Sequence, residues 1–319
     1  MSDQVENDEI MAVSGLTKRF AGVVAVDNLS FNARKGEILG LVGPDGAGKT
    51  TTLRILAGIL PADSGSVLVA GHDVLREPEA VKSRISYMPQ QFGLYEDLTV
   101  TENIRFYADI FEVPRTVRQQ REAQLLEASG MSRFRDRLAG QLSGGMKRKL
   151  GIACALIHTP QLLLLDEPTI GVDPVSRREL WSILYSLVFE GVTVLVSTAY
   201  LDEAERCHRL LLMHQGSRLL FGSPTDLKSR LPGGVLSIGS SNSQALQMAT
   251  AGEQGVLRAT AMGDELHVAV DDPDIRSVQL RESFERTGIP FGDIRRMPAS
   301  VEDVFVYVIS QQSQEAREQ

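Results

Sequence analysis

The segment GPDGAGKT at residues 43–50 constrains this chain more than any other, because it matches the phosphate-binding pattern G-x-x-x-x-G-K-[ST]. The apolar run EILGLV before it is typical of a buried strand, and TTLRILAGI after it is typical of a helix. Glycines let backbone N–H groups turn towards a phosphate at a helix N-terminus, where the helix dipole favours an anion. The pattern predicts that Lys49 reaches the β- and γ-phosphates of a nucleotide and that the Thr50 hydroxyl binds Mg²⁺. Taken alone, the segment also fits an ordinary glycine turn before a helix.

The bulk properties narrow the class of protein. At 319 residues the chain exceeds one average domain, so one large domain with a smaller one is expected. The net charge of −8 disfavours broad binding to nucleic acid, which needs a basic face. Cys154 and Cys207 have no metal or redox spacing, and Cys154 is expected to be a small core residue of a reduced, cytosolic protein.

The sequence predicts no segment that enters a membrane. The first residues, MSDQVENDEI, lack the basic and apolar regions of a secretory signal. The longest apolar runs, such as LLLLD and VTVLVS, fall far short of the ~20 residues that span a bilayer. We therefore expect a chain that does not cross a membrane by itself.

Strands and helices alternate along most of the chain, which is typical of an α/β fold with a parallel sheet. The all-apolar strands fit a sheet that is buried on both faces. A helical stretch at about residues 92–142 predicts an inserted helical subdomain. The larger domain is expected to cover residues 9–238, between disordered tails at residues 1–8 and 312–319.

The composition changes around residues 231–234, LPGG, which indicates a domain boundary. Beyond it the pattern is strand, helix, two strands, helix, strand and a terminal helix, with a hairpin at Gly263-Asp264. That βαββαβ order predicts a small ferredoxin-like α+β domain at residues 239–311.

The apolar strand LLLLDEP at residues 162–168 ends in two carboxylates. A strand of the sheet core would deliver Asp166 beside the phosphate loop, where it holds Mg²⁺ through water. Glu167 then lies at the strand tip, where it can orient or deprotonate an attacking water. A surface Asp-Glu pair at the start of a turn is the alternative.

The segment LSGGM at residues 142–146 directly precedes a helical pattern. The Ser143 side chain and the amides of Gly144 and Gly145 would form a second anion site at a helix N-terminus. By itself the segment fits an ordinary N-cap followed by flexible glycines equally well.

With these motifs in this order, residues 9–238 resemble the ATP-binding cassette (ABC) family. The resemblance implies a P-loop NTPase fold with a RecA-like core sheet, an antiparallel β subdomain and a helical subdomain. It implies an ATPase that uses ATP and Mg²⁺, in which SGG at residues 143–145 is the signature motif. The residues implied to bind the nucleotide are Phe20, Gly43, Pro44, Asp45, Gly46, Ala47, Gly48, Lys49, Thr50, Thr51, Gln90, Ser143, Gly144, Gly145, Asp166 and Asp173.

The resemblance also assigns individual roles. Glu167, Lys49 and Gln90 are the implied catalytic residues, and the metal ligands are Thr50, Gln90 and Asp166. Gln90, in YMPQ, would also sense a membrane partner through the helical subdomain. A loop amide at a strand end is the alternative for Gln90.

Two further residues are assigned only by resemblance. Phe20, in TKRF, matches the aromatic residue that stacks on adenine, and Asp173, in IGVDP, matches the D-loop aspartate. Core packing is the alternative for Phe20. For Asp173 it is a helix N-cap before Pro174, which is compatible with the family role.

The family architecture implies specific partners. Each ATP would lie between the phosphate loop of one cassette and the signature of another, so this single set of motifs requires a second, identical or related cassette. The signature LSGGMKRKL and the C-terminal segment PASVEDVFVYVI resemble drug-resistance (daunorubicin-type) subunits, which serve separate ABC-2-type permeases. This resemblance implies drug or multidrug export from a cytoplasmic position, peripheral on the inner face of the cell membrane.

Two positions depart from the family pattern. Ala199 stands where the family usually has a histidine that contacts the γ-phosphate, and alanine has no donor. Removing one preorganised donor typically costs ~10²–10³ in rate, so slow hydrolysis is expected unless Tyr200, water or a partner compensates. Asp45 replaces the more usual asparagine, and its carboxylate is expected to point away from the phosphates.

The leading hypothesis is therefore the ATPase subunit of an exporter, and two alternatives stay open. A regulatory cassette that binds ATP but scarcely hydrolyses it is favoured by Ala199 and disfavoured by Glu167. A non-transport cassette acting on DNA or ribosomes is the other. The basic residues 147–149 and Arg177-Arg178 are interpreted as solvated helix faces.

Overall fold

The computed structural model describes residues 8–240 and 242–318, with side chains up to residue 312. Contacts divide the chain into two compact units, residues 1–221 and 222–319. This division falls before the boundary at residue 238 that the sequence predicts. The reason is that Gly234–Gly239 is a strand of the second unit, where it pairs with two neighbouring strands.

The first unit combines an antiparallel sheet, a mainly parallel sheet and a group of helices. In chain order its elements are β1 (Glu9–Phe20), β2 (Val23–Arg34), β3 (Ile38–Val42), α1 (Lys49–Leu56), β4 (Ser64–Val69), β5 (His72–Asp73), α2 (Pro78–Lys82), β6 (Ile85–Met88), α3 (Val100–Ile110), α4 (Arg115–Ala128), α5 (Gly144–Leu156), β7 (Leu162–Asp166), α6 (Pro174–Phe189), β8 (Thr193–Thr198), α7 (Leu201–Ala204), β9 (Arg209–His214) and β10 (Ser217–Gly222). The antiparallel sheet has the order β2-β1-β4-β5, and the second sheet has the order β10-β9-β3-β8-β7-β6.

The second sheet forms the centre of the first unit. Every residue of β3, β7 and β8 is buried, which agrees with the largely apolar sequences of these strands. The strands run parallel, with Asp166 opposite Ser197 and Val42 opposite Thr198. Their carboxyl ends therefore meet at one edge of the sheet, which is where open α/β sheets place their ligands.

The helices α3, α4 and α5 form a cluster of their own between β6 and β7. A capping box begins α3, since the Thr99 side chain accepts from the Glu102 backbone and the Glu102 carboxylate accepts from the Thr99 backbone. The buried residues of this cluster are Val100, Ile104, Ala108, Val113, Leu126, Met131, Ala139, Leu142, Leu150, Ala153, Cys154 and Ile157. Cys154 is thus the core residue that its apolar surroundings predict.

The second unit is an α+β domain. Its elements are α8 (Pro224–Lys228), β11 (Gly234–Gly239), α9 (Ser243–Thr250), β12 (Val256–Met262), β13 (Glu265–Val270), α10 (Pro273–Thr287), β14 (Ile294–Met297) and α11 (Val301–Glu318). The sheet order is β12-β13-β11-β14 with antiparallel neighbours, which is the arrangement of a ferredoxin-like βαββαβ domain. Its core is made by residues of the sheet, α9 and α10.

The chain ends differ in how far the structure describes them. Of the tail predicted at residues 1–8, all but residue 8 lies outside the described residues. The tail predicted at residues 312–319 continues helix α11 as far as Glu318, because QQSQEARE consists largely of good helix formers. Within the described residues, no helix has both the length and the apolar character to cross a membrane.

Candidate active site

The phosphate-binding pattern forms a tight loop between β3 and α1. A Cβ atom at Gly43 would lie 2.3 Å from the Met213 carbonyl oxygen, and one at Gly48, whose φ is +98°, would lie 2.4 Å from the Ala25 carbonyl oxygen. Only glycine fits at these two positions. The loop delivers Lys49 as the first residue of α1, where its Nζ donates to the carbonyl of Gly43 at 2.7 Å.

The first turn of α1 has no side-chain cap, because Gly48 occupies the N-cap position. Its backbone N–H groups therefore lack the partner that a capping side chain would supply. Such groups, together with the helix dipole, favour an anion such as a phosphate. This is the arrangement that the sequence predicts for residues 43–50.

Asp166 and Thr50 lie together at the edge of the central sheet. The Asp166 Oδ1 atom accepts from the Thr50 hydroxyl at 3.0 Å and from the Ser197 hydroxyl at 2.8 Å. The hydroxyl of Tyr87 contacts Oδ2 of the same carboxylate at 3.3 Å. A buried carboxylate beside a threonine hydroxyl is a hard-oxygen donor set of the kind that Mg²⁺ prefers when phosphates and waters complete its coordination.

Glu167 occupies the strand tip and contacts two of the predicted catalytic residues. One carboxylate oxygen lies 3.1 Å from Lys49 Nζ, and the other accepts from the Gln90 amide at 2.9 Å. The backbone N–H of Glu167 donates to the Ser197 hydroxyl at 2.9 Å. With φ of 48°, Glu167 has a left-handed backbone, which non-glycine residues rarely adopt and which is frequent at functional sites.

These residues open onto one cleft of about 640 Å³. Its lining residues are Val23, Val24, Ala25, Asp45, Gly46, Ala47, Gly48, Lys49, Thr50, Thr51, Gln90, Glu167, Ile170 and Gln215. Gln90 lines the cleft, where its side-chain amide donates a hydrogen bond to Glu167. The other two predicted metal ligands, Thr50 and Asp166, are hydrogen-bonded to each other. Asp45 lines the cleft and is exposed. The outward-pointing orientation of its carboxylate, expected from the sequence, stays a prediction.

Phe20 lies at the end of β1, outside the lining of this cleft. It is 45% exposed, and Lys18 Nζ lies 5.4 Å from the centre of its ring. Val23, its partner across the turn, lines the cleft. Core packing is therefore not the role of Phe20, and its predicted stacking on adenine stays a prediction.

The signature segment and Asp173 form a second group of predicted residues. Ser143 is the N-cap of α5, where its hydroxyl accepts from the Met146 backbone, and Asp173 is the N-cap of α6. A Cβ atom at Gly145 would lie 2.5 Å from the Ser176 hydroxyl oxygen and 3.6 Å from Asp173 Oδ2. The Ser176 hydrogen bond holds the pKa of the Asp173 carboxyl below its usual value. Neither Ser143 nor Asp173 lines the cleft of the phosphate loop.

Comparisons with known proteins show to which family a chain with these two groups of residues belongs. The family model described as "ABC transporter" matches residues 26–170. The daunorubicin/doxorubicin resistance ATP-binding protein DrrA of Streptomyces peucetius is 37% identical over 92% of this chain and 90% of its own length. The chain belongs to the ABC transporter ATP-binding proteins.

Two other comparisons extend this result. The probable multidrug ABC transporter ATP-binding protein YbhF of Escherichia coli (strain K12) is 52% identical over 71% of this chain, but the match spans only 40% of YbhF. A solved dimeric, post-hydrolysis ATP-binding cassette with bound ADP and Pi has a TM-score of 0.61 and 26% identity, over 67% of this chain and 98% of its own. The first match agrees with the family assignment, and the structural match confirms the predicted cassette fold.

Sequence reasoning missed a buried network behind the cassette site. Glu203 is fully buried, and its Oε2 accepts from the Thr169 and Thr198 hydroxyls at 2.9 Å each. Its Oε1 lies 3.5 Å from Arg177 Nε, while the Arg177 guanidinium lies 4.5 Å from the Tyr200 ring centre. The solvated position expected for Arg177 is therefore wrong. The sequence contains only a weak signal of this network, namely a glutamate that follows the strand VTVLVST shortly afterwards in a polar segment.

The switch position is part of the same region of the cassette. Ala199 lies between Thr198 and Tyr200, whose backbone N–H donates to the Thr198 hydroxyl at 3.0 Å. Neither Ala199 nor Tyr200 lines the cleft. His208 lies elsewhere, where its ring nitrogen accepts from the Ile38 backbone at 3.0 Å.

Proposed function

We propose that this chain is the ATP-binding and ATP-hydrolysing subunit of an ABC-2-type export complex. The observation that carries the proposal is the convergence of Lys49, Gln90 and Glu167 on one cleft beside the phosphate loop. These three side chains meet although they are far apart in the sequence. They lie at the edge of the sheet where a nucleotide would bind.

The chemistry follows from the positions of these groups. Lys49, held over the loop, places a positive charge where negative charge develops on the transferred phosphoryl group. Glu167 accepts a proton from, or orients, the attacking water, and Gln90 holds its carboxylate in place. Thr50 and Asp166 would hold Mg²⁺, which when bound neutralises charge on the phosphate oxygens.

A complete site requires a second cassette. Ser143 and Asp173 lie outside the cleft that holds Lys49 and Glu167, and both are exposed. They are therefore available to a nucleotide carried by another copy of this chain or by a related subunit. The solved cassette with bound ADP and Pi is dimeric, which supports the pairing of two cassettes by analogy.

The partner in the membrane would dock beside the helical cluster. Three aromatic residues packed against the core of the helical cluster, Phe92, Tyr107 and Phe111, line an apolar groove of about 260 Å³ together with Ile85 and Tyr87 of β6. Tyr87 and Phe92, which line the groove, are close neighbours of Gln90 in the sequence. Movement of Gln90 during turnover would therefore pass through them to a permease at the inner face of the membrane. Relatives named for daunorubicin resistance and multidrug transport support drug or multidrug efflux.

The decisive experiment compares Glu167→Gln and Lys49→Ala with the full-length wild-type chain. Glu167→Gln should bind MgATP, form a dimer on size-exclusion chromatography and release no phosphate. Lys49→Ala should lose nucleotide binding and stay monomeric in MgATP. A Glu167→Gln protein that stays monomeric at saturating MgATP, combined with undiminished nucleotide binding by Lys49→Ala, would refute the proposal.

One observation favours a second function, that of an ATP-binding regulatory cassette with little hydrolysis. Ala199 offers no donor, and the Tyr200 ring is held against Arg177 outside the cleft. Steady-state phosphate release separates the two functions. Release that stops in Glu167→Gln supports the ATPase, and ATP-driven dimerisation of the wild type without release supports the regulatory cassette.

A further inference from the structure

The basic residues 147–149 of α5 do not form the solvated face expected from the sequence. Lys147 makes an ion pair of 2.6 Å with Glu96, and Arg148 donates to the backbone carbonyl of Gln90. Both partners belong to the loop between β6 and α3. The signature helix is therefore bonded to the loop that carries the catalytic-site glutamine.

Close packing joins the same face of α5 to this loop. A Cβ atom at Gly151 would lie 3.1 Å from the Met88 methyl group and 3.2 Å from the Phe92 ring. Arg148 and Gly151 are three residues apart, so they share one face of the helix. Met88 and Phe92 flank Gln90 on either side in the sequence. Thus α5 contacts the loop at Gln90 itself and at both of its flanks.

The connection continues from the loop into the active site. The Gln90 side chain donates to Glu167 Oε2 at 2.9 Å. At its other end, α5 begins with the exposed Ser143 and Gly144 of the signature segment. One helix thus links a surface suited to a second cassette with the amide that holds the proposed catalytic carboxylate.

Arg148 is suited to transmit force along this route. It is partly buried, and this burial lowers the pKa of its guanidinium from the ordinary value. A guanidinium nevertheless stays charged at neutral pH, so its bond to the Gln90 carbonyl is a charge-assisted hydrogen bond, stronger than a neutral one. Arg148 does not line the nucleotide cleft, so its influence on nucleotide affinity should be small.

We propose that Arg148 is a positioning residue that couples the signature helix to Gln90. When the signature segment engages a nucleotide held by a second cassette, a shift of α5 moves the Gln90 amide relative to Glu167. Occupancy of one composite site is thereby communicated to the other through the bond between Arg148 and the Gln90 carbonyl. The inference rests on the proposed ATPase function.

The test is a double-mutant cycle on the full-length protein with Arg148→Met, Gln90→Ala and the combined variant. Phosphate release is measured as a function of MgATP concentration, and thermal unfolding is measured alongside. Arg148→Met should lower kcat about tenfold, equivalent to ~1.4 kcal/mol, and leave KM within about twofold. In the Gln90→Ala background the same change should lower kcat by less than about twofold, because the route through Gln90 is already lost.

Two further variants serve as controls. Arg148→Lys keeps a cationic donor for the carbonyl and should recover part of kcat, and it replaces Arg148→Met if that variant does not fold. Lys149→Met should retain the wild-type kcat, because Lys149 pairs with Glu179 of α6 rather than with the loop. The inference is wrong if Arg148→Met lowers kcat equally in both backgrounds, changes only KM, or has no effect. If phosphate release by the wild type does not depend on Glu167, the proposed function fails instead.

Discussion

The two glycines of the signature segment differ in what surrounds them. At Gly145 a Cβ atom would lie 2.5 Å from the Ser176 hydroxyl oxygen and 2.6 Å from its Cβ, whereas at Gly144 the nearest atom is 4.0 Å away. The contact at Gly145 brings the start of α5 against the start of α6. Only Gly145 is therefore required by packing, and Gly144 is free for another role.

This difference predicts the behaviour of two matched variants. Gly145→Ala should destabilise the protein by about 1–3 kcal/mol through overpacking. Gly144→Ala should leave the thermal unfolding midpoint nearly unchanged, since it lies in the first turn of a helix with open space around it. Equal midpoints for the two variants would contradict the close approach to Ser176.

Ala199 gives a second prediction at the residue scale. Ala199→His supplies a donor where the family usually has one, so it should raise kcat for ATP hydrolysis by up to about 10²-fold, with little change in nucleotide affinity. Phosphate release at saturating MgATP measures the effect, and Ala199→Gln is the matched control of similar bulk. A parent enzyme that is already fast and is not improved by histidine would show that another group supplies the donor.

At the scale of secondary-structure elements, a buried carboxylate joins the helices of the helical cluster. Glu122 of α4 is only 4% exposed. Its carboxylate accepts a hydrogen bond from the Arg105 guanidinium of α3 at 2.8 Å, and the Arg135 guanidinium lies 3.7 Å from the same carboxylate. A charged hydrogen bond to a buried carboxylate is worth more than an exposed ion pair. This pair therefore helps to hold α3 and α4 together.

Glu122→Gln should accordingly lower the free energy of unfolding by about 1–3 kcal/mol. Glu79→Gln, which removes an exposed pair with Lys82, is the control and should cost less than about 0.5 kcal/mol. Urea titrations followed by circular dichroism measure both variants. An equal loss in the two variants would mean that Glu122 adds no more than a surface pair.

At the scale of the whole molecule, the proposed head-to-tail pairing of cassettes can be tested by chemical cross-linking. Asp45 and Ser143 are exposed, whereas the native Cys154 and Cys207 are buried, and burial raises the pKa of both thiols well above the ordinary value. The native thiols should therefore not compete with introduced ones.

Asp45→Cys with Ser143→Cys, placed in Glu167→Gln protein, should form a disulfide between chains when MgATP is present. Non-reducing electrophoresis detects the cross-linked dimer, and each single-cysteine variant serves as a control. Cross-linking that is independent of nucleotide, or that occurs equally in the single variants, would contradict the proposed arrangement.

Several features were predictable from the sequence because they depend on short segments. Two hairpin turns were predicted from their turn residues alone. Both have the positive φ angles of such turns, +59° at Gly263 and 47° and 81° at Gln215 and Gly216. The phosphate loop, the strand ending in Asp166 and the caps at Ser143 and Asp173 are likewise local. In each case the backbone conformation and the chemistry are set by neighbouring residues.

The tertiary structure decided which distant groups meet. Nothing near residue 148 indicates that Arg148 bonds to the carbonyl of Gln90, or that Arg177 approaches the buried Glu203. The boundary between the two units also depends on the pairing of β11 with β13 and β14. A periodic pattern shows that a charged residue lies on a polar face, but the partner of that face is determined only by how the helices and sheets pack.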